Sequence, residues 1–318
     1  MSDAARALSQ LAYLEIFKKQ SKTLADVKAW IANQDYYVDS GMTPTSFTLS
    51  VYDREGLQAA LANDCNRMSM AAIESICGVE IESIFSKSSA WATIRAYYAS
   101  FFAAHAILRV FGYSYSQLEF EHTKKIFEVA KTLNVHGMHN KIEHGFYCIR
   151  IDREFKTIKF EKKNDSHKDM WRGLLTLIEQ LTNDISKTSA LSKHKSEAID
   201  LLSETRKGVT KNGVNIAGNW LSELRNQVNY KQSHGAWHPN KMGVALQRVI
   251  TNVSSHWKKP SEIFSPSEKK QEMELFFEST TLLLSFLQET LRECADKVGD
   301  KKTVFQLGAL RMLRTTAN

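Results

Sequence analysis

Residues 91–112, WATIRAYYASFFAAHAILRVFG, constrain this chain more than any other stretch. The segment is rich in alanine and aromatics, holds few polar side chains and meets no glycine or proline before Gly112. At about 100° per residue, Tyr98, Phe101, Phe102, His105 and Arg109 share one helical face through the spacing i, i+3, i+4, i+7, i+11. A helix this apolar is buried on most of its surface, so its Tyr, His and Arg must find partners inside the molecule. Ala92, Ala96, Ala99, Ala103, Ala104 and Ala106 let a neighbouring helix approach closely. The spacing therefore predicts a central helix of a bundle, with a polar stripe facing inward.

Only 4 Pro and 14 Gly occur in 318 residues, so helical periodicity runs with few interruptions. Helices are expected over about 3–20, 24–37, 54–78, 85–112, 119–136, 167–188, 193–207, 214–232, 240–257 and 266–297. The last begins with Ser265 as a cap, Pro266 at the first helical position and Glu268 where a capping-box acid reaches back. One stretch, Cys148 to Phe160, has β-branched and aromatic residues at partly alternating positions and reads as a short hairpin. The expected fold class is all-α: an antiparallel helical bundle with a short β-hairpin-like insert and extra terminal helices. Its expected parts are an N-terminal helical extension (1–50), a bundle (51–258) with an insert over about 145–213, and a long C-terminal helix with a basic tail (259–318).

Composition narrows the function classes. No run of about 18 apolar residues appears, so a membrane span is not expected. The start of the chain, with Asp3 and Arg6 ahead of any apolar block, reads as an amphipathic helix and not as a signal peptide. Cys65, Cys77, Cys148 and Cys294 are dispersed without CxxC spacing, as reduced thiols of a cytoplasmic protein are. The net charge of +7 is a mild bias toward polyanions. No cofactor motif is evident. GVTKNG (208–213) has the glycine spacing of a phosphate loop, but Val214 stands where lysine is needed. Neither HExxH, GxSxG nor a dinucleotide fingerprint occurs, and no metal site is expected, although His136 and His139 could share a face with Glu143. From Lys301 the tail is basic and reads as a terminal helix.

The second chemically rich segment is Trp220 to Pro239, WLSELRNQVNYKQSHGAWHP. It predicts a helix to about Gln232, with Gly235 as a stop. Arg225 and Asn226, followed by Tyr230, His234 and His238, offer a bidentate fork for phosphate oxygens and imidazoles that move protons near neutral pH. A metal-independent ribonuclease needs little more than a base, an acid and a cation. On one continuous helix Arg225 and His234 would lie about 180° apart, so convergence requires the helix to end first or a second subunit to take part. His122, with Lys124, sits at a helix start, where partial positive charge favours anions.

These residues resemble a known family. Arg95-Ala-Tyr97-Tyr98-Ala99-Ser-Phe101-Phe102-Ala103-Ala104-His105, with Leu108 and Gly112, is similar to the motif helix of HEPN-domain proteins. His122-Thr-Lys124 resembles the opening of the family's next helix, and Arg225 to Tyr230 its fourth-helix motif. The resemblance covers about 54–144 and 214–257. It implies a HEPN-like helical bundle that dimerises along its motif helices, in a prokaryotic defence or toxin–antitoxin setting. It implies RNA or a neighbouring gene's protein as partner, with Tyr98, Arg109, Tyr230, His122 and Lys124 as binding residues. An active ribonuclease of the same fold would use Arg225, Asn226, and His234 or His105. Tyr230 stands where the shortest family motif has His, and His234 comes two residues late. A phenol with a pKa of about 10 is a poor base at pH 7, so binding is favoured over cleavage. A non-catalytic helical adaptor is the third reading.

Overall fold

The computed structural model describes residues 1–20, 26–85, 88–133, 141–187, 194–237, 250, 256–258 and 271–316. It corrects the all-α expectation. Helices make up 66 % of the chain, but five strands also form one antiparallel sheet. These are β1 (Tyr36–Val38), β2 (Ser46–Val51), β3 (Tyr113–Leu118), β4 (Gly145–Ile151) and β5 (Thr157–Lys163), in the order β1-β2-β5-β4-β3. The expected hairpin is real as β4–β5, and it forms the middle of this sheet. It pairs with β2 on one side and β3 on the other, and both of those come from segments outside the expected insert.

Period-two alternation explains why these segments are strands. Phe47 lies opposite Phe160 and Phe160 opposite Ile149; Leu49 likewise meets Ile158, which meets Ile151. All six are buried, so one row of side chains is apolar. The neighbouring row, Thr48, Lys159, Arg150 and Tyr113, carries the opposite pattern. A one-residue slip would exchange the two rows, which fixes the register. The helix expected over 24–37 is correspondingly short: α1 (Ser2–Leu8) is followed by α2 (Val27–Asn33), which ends at Gln34 in the left-handed region and gives way to β1.

The helical part contains α3 (Arg54–Phe85), α4 (Ala90–Val110), α5 (Phe120–Thr132), α6 (Lys168–Lys187), α7 (Lys195–Thr210), α8 (Trp220–Lys231) and α9 (Glu272–Val298). Helix α4 is the central one: it packs against α3, α6, α8, α9 and β3. Its alanine row does what close approach requires, since Ala92, Ala96, Ala99, Ala103 and Ala106 are all buried. Ser100 Oγ reaches Thr280 Oγ1 of α9 at 2.9 Å, and Cys65 Sγ of α3 reaches the Ala106 carbonyl at 3.5 Å. The helix stops before Gly112, whose φ of +82° an L-residue rarely adopts.

Helix α9 starts with a capping box between Gln271 and Glu274; the Ser265–Pro266–Glu268 signal and most of the helix expected over 240–257 lie outside the described residues. The basic tail is docked as two short helices, α10 (Val304–Leu307) and α11 (Ala309–Thr316), with Phe305 stacked 4.3 Å from Phe17. Residues 208–213 are not a phosphate loop: α7 runs through Thr210, and Lys211 and Asn212 turn in the left-handed region. No described helix is long and apolar enough to cross a membrane.

Candidate functional site

Three elements meet at a half-open aromatic cluster. Helix α4 contributes Tyr97 and Tyr98, adjacent in sequence, so that Tyr97 is fully buried while Tyr98 remains 37 % exposed. Helix α8 contributes Ser222 and Arg225, one turn apart and both buried. The turn leading into α6 contributes His167.

Arg225 is the unusual member. It is 7 % exposed, and its guanidinium carbon lies 4.8 Å from the centre of the Tyr97 ring and 5.8 Å from that of Tyr98. Both are cation–π distances. Its Nε hydrogen reaches no acceptor, and among the described residues no carboxylate forms an ion pair with it. Buried arginines are ordinarily paired. A guanidinium held on two aromatic rings, the Tyr98 ring 37 % exposed, can take the oxygens of a planar or tetrahedral anion.

His167 is fixed from both sides. The Asp165 carboxylate accepts the backbone N–H groups of His167 (2.8 Å) and Lys168 (2.7 Å), capping the start of α6. Its ring Nδ1 lies 2.6 Å from the Tyr97 hydroxyl. Burial, reinforced by the Arg225 charge and opposed by Asp165, lowers the His167 pKa, so the ring is neutral at pH 7. Burial pushes the Tyr97 phenol up, and the polar groups of Ser222, Trp171 and Arg225 counter that rise, although the Trp171 Nε1–H reaches no acceptor at hydrogen-bond geometry. Where the phenol donates to Nδ1, the ring carries its one proton on Nε2, which is then a hydrogen-bond donor.

The site residues expected from sequence fall into three groups. The structure brings Arg225 and Tyr98 together, the guanidinium carbon 5.8 Å from the ring centre. His105 and Arg109 pair with one another inside the core: Arg109 Nη1 lies 3.1 Å from His105 Nδ1 and donates to the His105 carbonyl at 3.0 Å. Burial, then Arg109 and His167, lower the His105 pKa well below its ordinary value. The pair is 4 % and 1 % exposed and reaches no solvent-borne substrate.

The remaining residues lie elsewhere. Asn226 and Tyr230 point outward from α8, Tyr230 being 73 % exposed. His234, beyond the end of α8 at Gln232, bonds Gln227 Oε1 at 2.7 Å and lies 3.9 Å from Glu272. His122 closes the capping box of α5 with Glu119, and Lys124 faces Glu128 at 3.8 Å on the same helix; α5 packs on the sheet and α2, away from Arg225. His136, His139 and His238 lie outside the described residues. Among the described residues no three His, Cys, Asp or Glu side chains converge as a metal would require.

Sequence reasoning missed Tyr97 as a site member and His167 altogether. Tyr97 stood in the quoted motif, one position from the stripe. The signal for His167 was local: in Asn164-Asp-Ser-His-Lys-Asp169, Asp169 accepts from the Asn164 and Asp165 backbones at 3.0 Å while Asp165 caps the helix. Comparison of the chain with family models, with curated proteins and with solved structures returned no match.

Proposed function

We propose that this protein binds single-stranded RNA, with Arg225 gripping a backbone phosphate and Tyr98 offering a stacking face to an adjacent base. The observation that carries the reading is Arg225 itself, buried on Tyr97 and Tyr98 without a carboxylate. Single-stranded RNA presents phosphates beside unstacked bases, and base–aromatic stacking tolerates any sequence. The net charge of +7 assists encounter. His167 supports binding over cleavage, because its Nδ1 is engaged by the Tyr97 hydroxyl at 2.6 Å and is not open to take a proton from a substrate. The resemblance of α4 to the HEPN motif helix supports a place in prokaryotic defence or toxin–antitoxin systems, with a second copy or a neighbouring gene's product as partner.

Fluorescence anisotropy with a labelled single-stranded RNA, over a series of salt concentrations, tests the proposal. Salt-sensitive binding that Arg225→Met weakens supports it. Absence of binding at low salt refutes it in favour of an adaptor role. Cleavage in EDTA to cyclic-phosphate ends, lost in His167→Ala, would replace it with a metal-independent endoribonuclease.

A further inference from the structure

Trp91, on the first turn of α4, is 51 % exposed, whereas a tryptophan is ordinarily well covered. Its ring is nonetheless braced. It stands edge-to-face with Trp237, the ring centres 5.7 Å apart and the planes at 78°. Trp237 is itself fixed, because its Nε1–H donates to the Val228 carbonyl of α8 at 2.8 Å. That carbonyl is among the last four of α8, which find no partner within the helix. The neighbouring Ala236 carbonyl accepts the backbone N–H of Ser89, just ahead of α4, at 3.0 Å. The turn after α8 is thus tied to the end of one helix and the start of the other, and Trp91 rests on it.

Helix geometry sets Trp91 in line with the Arg225 site. Tyr98 follows it by seven residues and Phe102 by eleven. Both therefore lie within about 20° of Trp91 around the axis of α4, at about 10 Å and about 16 Å along it. Tyr98 and Phe102 are stacked, with ring centres 6.1 Å apart and 29° between planes. Trp91 is the exposed ring at the other end of that line. Helix α8 accompanies it antiparallel to α4: Arg225 meets Tyr97 and Tyr98, and Val228, one turn later, holds the Trp237 that braces Trp91. Between the rings, Arg95 turns its guanidinium onto Gly78 of α3, where a Cβ would lie 2.4 Å from Nη1.

A strand stacked at about 3.4 Å per nucleotide covers the distance from Tyr98 to Trp91 in about three steps. Exposed rings on one line beside a cation are what proteins that track single strands present, because every base has a π-face. A partner helix would instead want a continuous apolar strip, which the charge of Arg95 interrupts. Resting on the reading of the Arg225 site as an RNA site, we propose that Trp91 is a second base-stacking platform of that site. Single-stranded RNA then lies along α4 from Tyr98 to Trp91, with a phosphate on Arg225 at the Tyr98 end.

Anisotropy of the full chain with a labelled oligouridine of about ten nucleotides, and with an abasic oligomer of equal length, tests the second platform. Trp91→Leu should weaken oligouridine binding by about 5- to 150-fold, the worth of one base–aromatic stack, and leave the abasic oligomer unaffected. Its salt slope should stay that of the wild type, since no phosphate contact is lost, whereas Arg225→Met lowers the slope. Trp91→Phe keeps a ring and should recover most of the affinity. Irradiation of the wild type with an iodouridine-substituted strand should crosslink Trp91, a readout that needs no variant to fold. Binding that Arg225→Met weakens and Trp91→Leu does not, with no crosslink at Trp91, overturns the second platform and leaves the Arg225 site standing. Absence of wild-type binding overturns both. A Trp91→Leu chain with altered sedimentation and unchanged RNA affinity overturns it in favour of a protein contact.

Discussion

Replacing Arg225 with Met should weaken RNA binding while leaving the fold as stable or slightly more so. The arginine's contacts over Tyr97 at 4.8 Å and Tyr98 at 5.8 Å are together worth about 0.5–2 kcal/mol. A methionine thioether on the same rings returns about 0.3–1.5 kcal/mol of that. Against the remainder stands the unmet Nε hydrogen, whose burial costs about 1–3 kcal/mol. The balance favours Met by roughly 0–2 kcal/mol. A structural arginine behaves differently: breaking a buried ion pair costs about 3–5 kcal/mol. For RNA, the lost charge-assisted bond of about 1.5–3 kcal/mol corresponds to a roughly 10- to 150-fold weaker Kd. The salt slope should also shrink by about 0.7, one released counterion. Urea unfolding followed by circular dichroism and RNA anisotropy measure the two halves. A variant destabilised by more than about 2 kcal/mol with unchanged RNA affinity would show that Arg225 is a packing residue, and the reasoning from its isolation would fail.

Further outcomes follow from the same geometry. Gly173→Ala would gain about 1 kcal/mol of helix propensity in α6, but its Cβ would meet the buried Tyr115 hydroxyl at 2.1 Å. Overpacking of about 1–3 kcal/mol should win, so urea unfolding should show a net loss, and a stabilised variant would contradict the docking of α6 on the sheet. His105 titrates below its ordinary value in the fold, so over that window the unfolded chain binds more protons. Its contribution is therefore complete above pH ~6.5 and lost as pH falls, at up to about 1.4 kcal/mol per pH unit; half-buried His167 adds a smaller slope of the same sign. Stability flat between pH 7 and 5 would refute this. Because the Arg225 charge helps hold the His167 pKa down, Arg225→Met should raise it in an NMR titration, and an unmoved value would separate the two residues.

What was legible in the sequence depended on distance along the chain. Helix α4 was legible because its twenty-one residues carry their own instructions: apolar periodicity, an alanine row and a terminal glycine. Strands β2 and β3 carry an equally regular period, Ser-Phe-Thr-Leu-Ser-Val and Tyr-Ser-Tyr-Ser, but each spans only six residues. Neither buries its apolar row until β4 and β5 supply partners from distant parts of the chain, so the surrounding helical signal dominated. The candidate site divides in the same way. Arg225 could be singled out, yet five residues of α-helix rotate Tyr230 by about 140° away from it, so a motif read as a string overstated how much of it faces one ligand.

His167 shows the converse. No motif links it to Arg225, and only the docking of α6 against α4 brings its ring to Tyr97. Its backbone, however, was specified locally, because aspartates two before and two after it organise the helix start. A histidine whose backbone is clamped by a cap carries little conformational freedom into the folded state, which is what an oriented hydrogen-bonding group requires. The capped turn in front of α6 was therefore the feature from which this half of the site was readable.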